Sequence, residues 1–256
     1  MITNQETKEA LPMPGEERDD RMHLAKLRQM RDGIDEYSMP VAESEIIRRY
    51  EKLYTGCVND VLRELCLTNQ ALPPEIVPLR DEMVLAGFAF TIRSNADPSL
   101  EGELELRVKM LDELRPNMVC VWNANGTDHA SHWGGVMTKM SRKQGVRGAI
   151  IDGGIRDTGD ILSQNFPIWY RYRTSNGSLS RAKITGYQVP IMIGAVMIKP
   201  GDLIFADIDG GLVVPRKLIV PVLERAEAIE SNEGEFKEWI DAGLSPEEVH
   251  DRGGYF

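Results

Sequence analysis

The sequence predicts an α/β fold, and three observations carry that reading. Met118–Trp122 and Val146–Asp152 are compact apolar runs of strand length, the segment Val136–Gln144 between them has helical spacing, and short apolar runs separated by turn residues continue downstream. Strand, helix and strand in that order form a βαβ unit. Its right-handed crossover makes the two strands parallel and brings their carboxyl ends to one rim. Loops at such a rim are the usual ligand loops of open α/β sheets.

The elements follow in chain order. Met1 to about Asp20 is polar and acidic, with Pro12, Pro14 and a Gly-Glu-Glu-Arg-Asp-Asp run, and it holds too little apolar surface to offset the cost of ordering. Arg21–Asp35 has helical spacing through Met22, Leu24, Leu27 and Met30. Ser44–Tyr54 reads as a helix, and a second opens at Thr55 with Val58, Val61, Leu62 and Leu65 on one face. Val84–Arg93 is the first strand. Glu101–Leu114 is a helix whose Leu104, Val108, Leu111 and Leu114 mark the expected buried face, stopped by Arg115-Pro116-Asn117. After the βαβ unit come strands at Ile168–Arg173, Val189–Ile193, Val196–Ile198, Leu203–Ala206 and Leu212–Val214, with Pro200-Gly201 placed for a type II turn. Pro221–Ser231 and Glu235–His250 form an acidic helical tail.

Composition excludes several classes of function. The chain has 256 residues, 42% of them hydrophobic, enough for a substantial core. A formal net charge of −10 argues against a surface that tracks phosphates, so no nucleic-acid partner is expected. Cys57, Cys66 and Cys120 are odd in number and lack CxxC spacing, which suggests neither a disulfide framework nor a structural zinc and fits a reducing cytoplasm. No stretch approaches the ~18 apolar residues of a membrane span, and the N-terminus lacks the basic-then-apolar order of a signal peptide. A cytoplasmic protein with no membrane partner is expected.

The chemistry concentrates in Gly148-Ala-Ile-Ile-Asp-Gly-Gly-Ile-Arg156-Asp157-Thr-Gly-Asp160, with Gly134-Gly135 one helix upstream. A buried strand delivers a guanidinium and a carboxylate side by side where it gives way to a loop. Arg offers a planar fork that matches a carboxylate, Asp is a hard ligand for a hydrated divalent ion, and glycines before a helix expose unpaired N–H groups at its positive end. Asp160, one turn after Asp157, is placed to orient a metal-bound water. Each feature also has a plainer reading. An Arg-Asp pair can be a surface ion pair or a helix cap, and Gly134-Gly135 can serve close helix packing. His129 and His132 lack a third ligand for zinc. Asp207 and Asp209 sit in hairpin chemistry, and Trp122, Trp133 and Trp169 read as core or interface residues. Arg171 and Arg173 share a strand face, so either could reach a distal acid of a substrate.

The blocks Trp133-Gly134-Gly135, Gly145-Val-Arg-Gly148, Asp152-Gly-Gly-Ile-Arg156-Asp157, Lys199-Pro-Gly-Asp-Leu203, Ala206-Asp-Ile-Asp-Gly-Gly211 and Val214-Pro215 resemble the RraA-like family in order and spacing. That family includes metal-dependent 4-hydroxy-4-methyl-2-oxoglutarate aldolases and regulators of ribonuclease E. The resemblance spans about Ser44 to Glu230. It divides the chain into an N-terminal tail and arm (1–43), an RraA-like core (44–230) and a C-terminal helical tail (231–256). It implies a β/β/α swivelling-type core, assembly as a homotrimer or homohexamer, and a site between protomers. It also implies that Arg156 holds the carboxylate or carbonyl oxygen of a 2-oxo acid, that Asp157 binds Mg²⁺ or Mn²⁺, and that the amides of Gly134, Gly135, Val136 and Met137 cradle the substrate carboxylate.

One position departs from the family pattern. In the aldolase branch an Asp precedes the Arg-Asp pair by twenty intervening residues and positions the water that donates a proton; here that position is Gly135. The regulator branch can lack the acid after the arginine, whereas Asp157 is present. A metal site without the usual proton donor points to a changed donor or substrate, and His132, in the same loop as Asp128 and His129, is the candidate donor. The chemistry expected is cleavage of a carbon–carbon bond in a small 2-oxo acid, by retro-aldol or decarboxylation, through a metal-stabilised pyruvate enolate. The alternatives are a non-catalytic regulator that binds a protein partner and a sugar-acid dehydratase.

Overall fold

The computed structural model describes residues 38–254 of the chain, so the expected tail and helix before them lie outside the described residues. Helices α1 (Glu43–Tyr50) and α2 (Thr55–Glu64) lead into the short strand β1 (Val77–Pro78) and the long strand β2 (Leu85–Ala96). Helix α3 (Glu103–Asp112) precedes β3 (Met118–Asn123), β4 (Ser131–Trp133), helix α4 (Gly135–Lys143) and β5 (Gly148–Ile155). Helix α5 (Thr158–Ser163) and strands β6 (Ile168–Arg173) to β11 follow: β7 (Ala182–Tyr187), β8 (Ile191–Ile193), β9 (Val196–Ile198), β10 (Leu203–Asp207) and β11 (Gly210–Val214). Helices α6 (Ile219–Asp241) and α7 (Pro246–Asp251) close the described chain.

The main sheet runs β1-β6-β5-β3-β2-β10-β11, with β4 beside β5 and β7 beside β2. Strands β2, β3, β5 and β6 are parallel, and Asn123 lies opposite Asp152 in the β3/β5 register. The β3–α4–β5 connection therefore joins parallel neighbours, and the carboxyl ends of β3 and β5 share a rim. Strand β2 changes partner along its length. Leu85 to Phe88 pair antiparallel with β10, while Ile92 to Ala96 pair antiparallel with β7, a ladder interrupted by a bulge at Arg93/Ser94.

Two apolar clusters fill the fold. Ile46, Tyr50, Val58 and Leu62 of α1 and α2 pack with Phe205, Val214, Val222 and Leu223. Trp122, Trp133, Ile150, Trp169 and the β8–β9 hairpin belong to the other. The first cluster is tied by charge and hydrogen bonds as well. The Tyr50 hydroxyl donates to the Ile219 carbonyl (2.7 Å), and Arg49 Nε donates to Glu227 (2.7 Å). The Lys199–Asp202 turn closes as expected, with the Asp202 amide donating to the Lys199 carbonyl.

The structure departs from sequence expectation in four places. Strand β4 lies inside what reads as a loop, and β7 occupies a segment that no apolar run announces. The C-terminal tail is not broken near Asn232: α6 runs unbroken for 23 residues, with Pro221 in its first turn where the missing N–H costs nothing. Helix α3 is rotated from its expected face. Met110 and Leu114 are buried, but Leu104 and Val108 are 60% and 59% exposed while Glu103 points inward. Spacing alone does not see that a charged pair satisfied by backbone can take the inner face.

Candidate active site

Strand β5 ends at Ile155 on the rim, and the next residue is locked by the Arg156 amide donating to the Trp133 carbonyl (3.0 Å). Asp157 then turns the chain with φ +53°, and its carbonyl accepts the amides of Asp160 (2.9 Å) and Ile161 (3.1 Å) to start α5. A left-handed conformation costs an L residue about 1 kcal/mol or more, least for Asp and Asn, and such residues gather at functional sites. The side chains of Arg156 and Asp157 are each about half exposed. Arg156 Nε lies 3.6 Å from Asp157 Oδ2, which also accepts a long bond from the Gly135 amide (3.3 Å).

The glycine pair is held from behind. Trp133 stacks on Phe166 (5.9 Å between centroids), and its indole N–H donates to Thr138 Oγ1 (2.9 Å). Thr138 Oγ1 in turn donates to the Gly134 carbonyl (3.1 Å), and Gln164 Nε2 donates to that of Gly135 (3.1 Å). A Cβ at Gly134 would stand 2.7 Å from Asp157 Oδ2, and one at Gly135 would overlap the Asp160 carboxylate. Both glycines are required by close approach, because two carboxylates from the start of α5 fill the space their side chains would take. The first-turn amides of α4, including those of Val136 and Met137, have no partner within the helix, as at any helix start.

A cavity of about 100 Å³ opens beside this pair, lined by Arg107, His132, Trp133, Met137, Arg156 and Asp157 among others. An open depression continues outward past Thr158, Arg173 and Thr174. The sequence candidates Arg156, Asp157, His132, Gly134, Val136 and Met137 thus meet at one cavity, while Asp160 and Gly135 adjoin it. His132 is buried, packs on Trp122 and lies with Nδ1 3.3 Å from Ser94 Oγ. Burial, helped by the positive charge of Arg107, pushes its pKa down to about 4, so the imidazole is neutral near pH 7. His129 is exposed and pairs with its neighbour Asp128.

Arg171 is tied to Asp152 and Glu75, and Arg173 stacks over the Tyr170 ring (5.4 Å). The cation that faces the cavity with Arg156 is instead Arg107 of α3, which sequence spacing gave no reason to single out. Asp157 and Asp160 are the carboxylates available to a cation, and among the described residues no group of three His, Cys, Asp or Glu forms a ready cage. Two hard oxygen donors fit a hydrated Mg²⁺ or Mn²⁺, which keeps several waters, better than zinc, which takes three or four protein ligands.

Comparison with known proteins places this geometry. A family model described as Aldolase/RraA, RraA-like, matches residues 55–214. A protein of Halalkalibacterium halodurans, provisionally named a 4-hydroxy-4-methyl-2-oxoglutarate aldolase, is 33% identical over 74% of this chain and 85% of its own length. A crystal structure described among novel cellulases from gut-associated microbes is 50% identical, with TM-score 0.83 over 86% of this chain and 99% of that one. Streptomyces coelicolor RraAS2, described as an unusual member of the RNase ES inhibitor RraA family, is 27% identical with TM-score 0.70 over 79% and 98% of the two chains. With the family model spanning more than half of its length and the expected β/β/α architecture in place, the chain belongs to the RraA-like family.

Proposed function

We propose that the chain is a lyase that cleaves a carbon–carbon bond of a small 2-oxo acid, as an aldolase or an oxaloacetate-type decarboxylase, with Mg²⁺ or Mn²⁺ held by Asp157 and Asp160. One observation carries the reading: Arg156 and Asp157 stand half exposed at the mouth of a cavity over the α4 N-terminus, neither spent on the fold. The name of the Halalkalibacterium relative supports a lyase of this kind. When bound, the divalent ion would supply Lewis acidity toward the 2-oxo acid. Arg156 presents its fork to the substrate's carboxylate or 2-oxo oxygen and meets the negative charge that develops there during cleavage. The first-turn amides of α4 receive the carboxylate at the positive end of the helix.

The proton is the remaining duty. Gly135 has no side chain, but the Asp160 carboxylate fills the space one would occupy, so a water held by Asp160 is placed to exchange the proton. His132, uncharged in its buried place, is the other carrier. Retro-aldol cleavage needs the C4 hydroxyl proton removed, whereas β-decarboxylation needs none. If His132→Ala leaves turnover and its pH profile unchanged, the role belongs to Asp160 and its water.

Assembly into a trimer or hexamer is part of the proposal, and the exposed Leu104 and Val108 of α3, with Val136 at the cavity, supply apolar surface for it. The test is pyruvate release from oxaloacetate and from 4-hydroxy-2-oxo acids. Activity abolished both by EDTA and by Asp157→Asn supports the lyase. Silence across the panel favours a regulator that binds a protein partner, in keeping with the kinship to RraAS2, or a sugar-acid dehydratase.

A further inference from the structure

The cavity has a second cation whose environment does not look like that of a purely structural arginine. Arg107 lies on α3, and its side chain is 16% exposed. Its Nε (3.1 Å) and Nη2 donate to Glu103 Oε1, and Nη2 also reaches Ser178 Oγ (3.1 Å). Glu103 is itself fixed, since its other oxygen accepts the Ile184 amide of β7 (2.9 Å). The guanidinium lies over the Trp122 ring, 5.3 Å from its centroid. Three sides of the group are thereby immobilised. Nη1 is different: among the described residues its partner is the Met137 thioether at 3.8 Å, a weak acceptor for a charged donor.

Taking an ion pair out of water is repaid only when the remaining donors are satisfied. Here the unsatisfied edge faces the cavity that Arg156 lines, and Met137, which it touches, is in the first turn of α4. The field of the guanidinium reaches His132 on the cavity wall, where it helps to keep the ring uncharged. The cavity of about 100 Å³ between Arg107 and Arg156 has room for a small ligand, and two guanidinium groups on its lining suit an anionic one.

We propose that Arg107 is a specificity-determining residue that binds the second, distal acidic group of a dicarboxylic 2-oxo acid, while Arg156 binds the 2-oxo acid end. The assignment of the two ends rests on the lyase reading; the presence of a second anion subsite does not. Arg107 is rigid before the ligand arrives, so little ordering entropy is lost on binding. A substrate that lacks the distal acid leaves a desolvated donor unpaired, the situation in which polar sites discriminate most strongly.

The test needs no turnover. Calorimetric titration, in buffer containing Mg²⁺, compares 2-oxoglutarate with 2-oxopentanoate, which differ in the distal carboxylate. The wild type is expected to bind the dicarboxylate at least tenfold more tightly. Arg107→Gln is expected to erase that ratio, Arg107→Lys to restore part of it, and Arg156→Gln to weaken both ligands alike. Because Arg107→Gln strands the buried Glu103, the double variant Glu103→Gln/Arg107→Met is measured alongside, with circular dichroism as a check on folding. Equal binding of the two acids by the wild type, or equal losses in the Arg107 variants, overturns the proposal. Discrimination that depends on Arg107 in a protein that cleaves no 2-oxo acid keeps the subsite and removes the lyase reading instead.

Discussion

Asp157 and Asp207 stand at opposite ends of a comparison between an acid left available and an acid built into the frame. Each stands at the carboxyl end of a buried strand, Asp157 two residues past β5 and Asp207 as the last residue of β10, and each faces a glycine, Gly134 and Gly210. Asp207 is buried at the corner between β10 and β11, and every oxygen it has is occupied. Its carboxylate accepts the Thr55 amide (2.7 Å), the Thr55 hydroxyl (2.8 Å) and the Asp209 amide (2.9 Å), and its carbonyl accepts the Trp169 indole N–H (3.0 Å). It thereby holds the start of α2 against the sheet. Asp157 accepts one long bond and sits beside an arginine that is equally uncommitted. The difference teaches that satisfaction, more than residue type or motif, separates a structural acid from a chemical one.

Substitution at Asp157 should break the comparison most visibly. Asp157→Gly is expected to lower kcat/KM on the cleaved 2-oxo acid by about a thousandfold, since the fixed charge is lost from the site of reaction. It should also raise stability by about 0.5–1 kcal/mol, because glycine adopts the left-handed turn without cost. Urea melts and steady-state kinetics on the same preparation read both; a loss of stability would show that Asp157 supports the fold after all. Asp207→Ala should do the reverse. Several buried donors lose their acceptor, for a cost of about 2–4 kcal/mol, while turnover per folded molecule stays near that of the wild type.

His132 sharpens the contrast between the two regions through pH. Its folded pKa, about 4, lies below the ordinary value of 6.5, so protonation favours the unfolded chain. The stability that this group confers is fully present above pH 6.5 and is lost as pH falls from there toward 4. The loss amounts to up to about 3 kcal/mol at the lower limit. Denaturation curves at stepped pH for the wild type and His132→Gln give the difference; parallel curves would mean that the imidazole is charged or exposed in the folded state.

Much of the frame is visible in the chain because burial on both faces leaves unbroken apolar runs, as at Met118–Trp122 and Gly148–Ile151. The Arg156-Asp157 corner is visible because a guanidinium and a carboxylate follow directly on the Asp152-Gly-Gly-Ile155 end of such a strand. Strand β7 is not, since it pairs only with β2 and buries just Ala182 and Ile184, with Lys183 and Thr185 to Tyr187 more exposed. Arg107 was hidden by its own helix. Leu104 and Val108 mark one face as apolar, yet that face is exposed and the Glu103–Arg107 pair goes inside, held by a β7 amide that spacing along α3 cannot reveal. The placement of the Asp160 carboxylate depends on a similar long-range fact, the absence of a side chain 25 positions upstream at Gly135.

The divided pairing of β2 carries a last consequence. Its first half is zipped to β10 inside the framework, and its second half holds β7 on both sides of the bulge, the stretch past it carrying Ile184 and through it Glu103 and Arg107. Fraying can therefore begin at the β7 end and stop at the bulge, leaving the β10–β11 ladder closed. Glu103 and Arg107 can thus lose their anchor on β7 while the pairs of β2 with β10 stay closed.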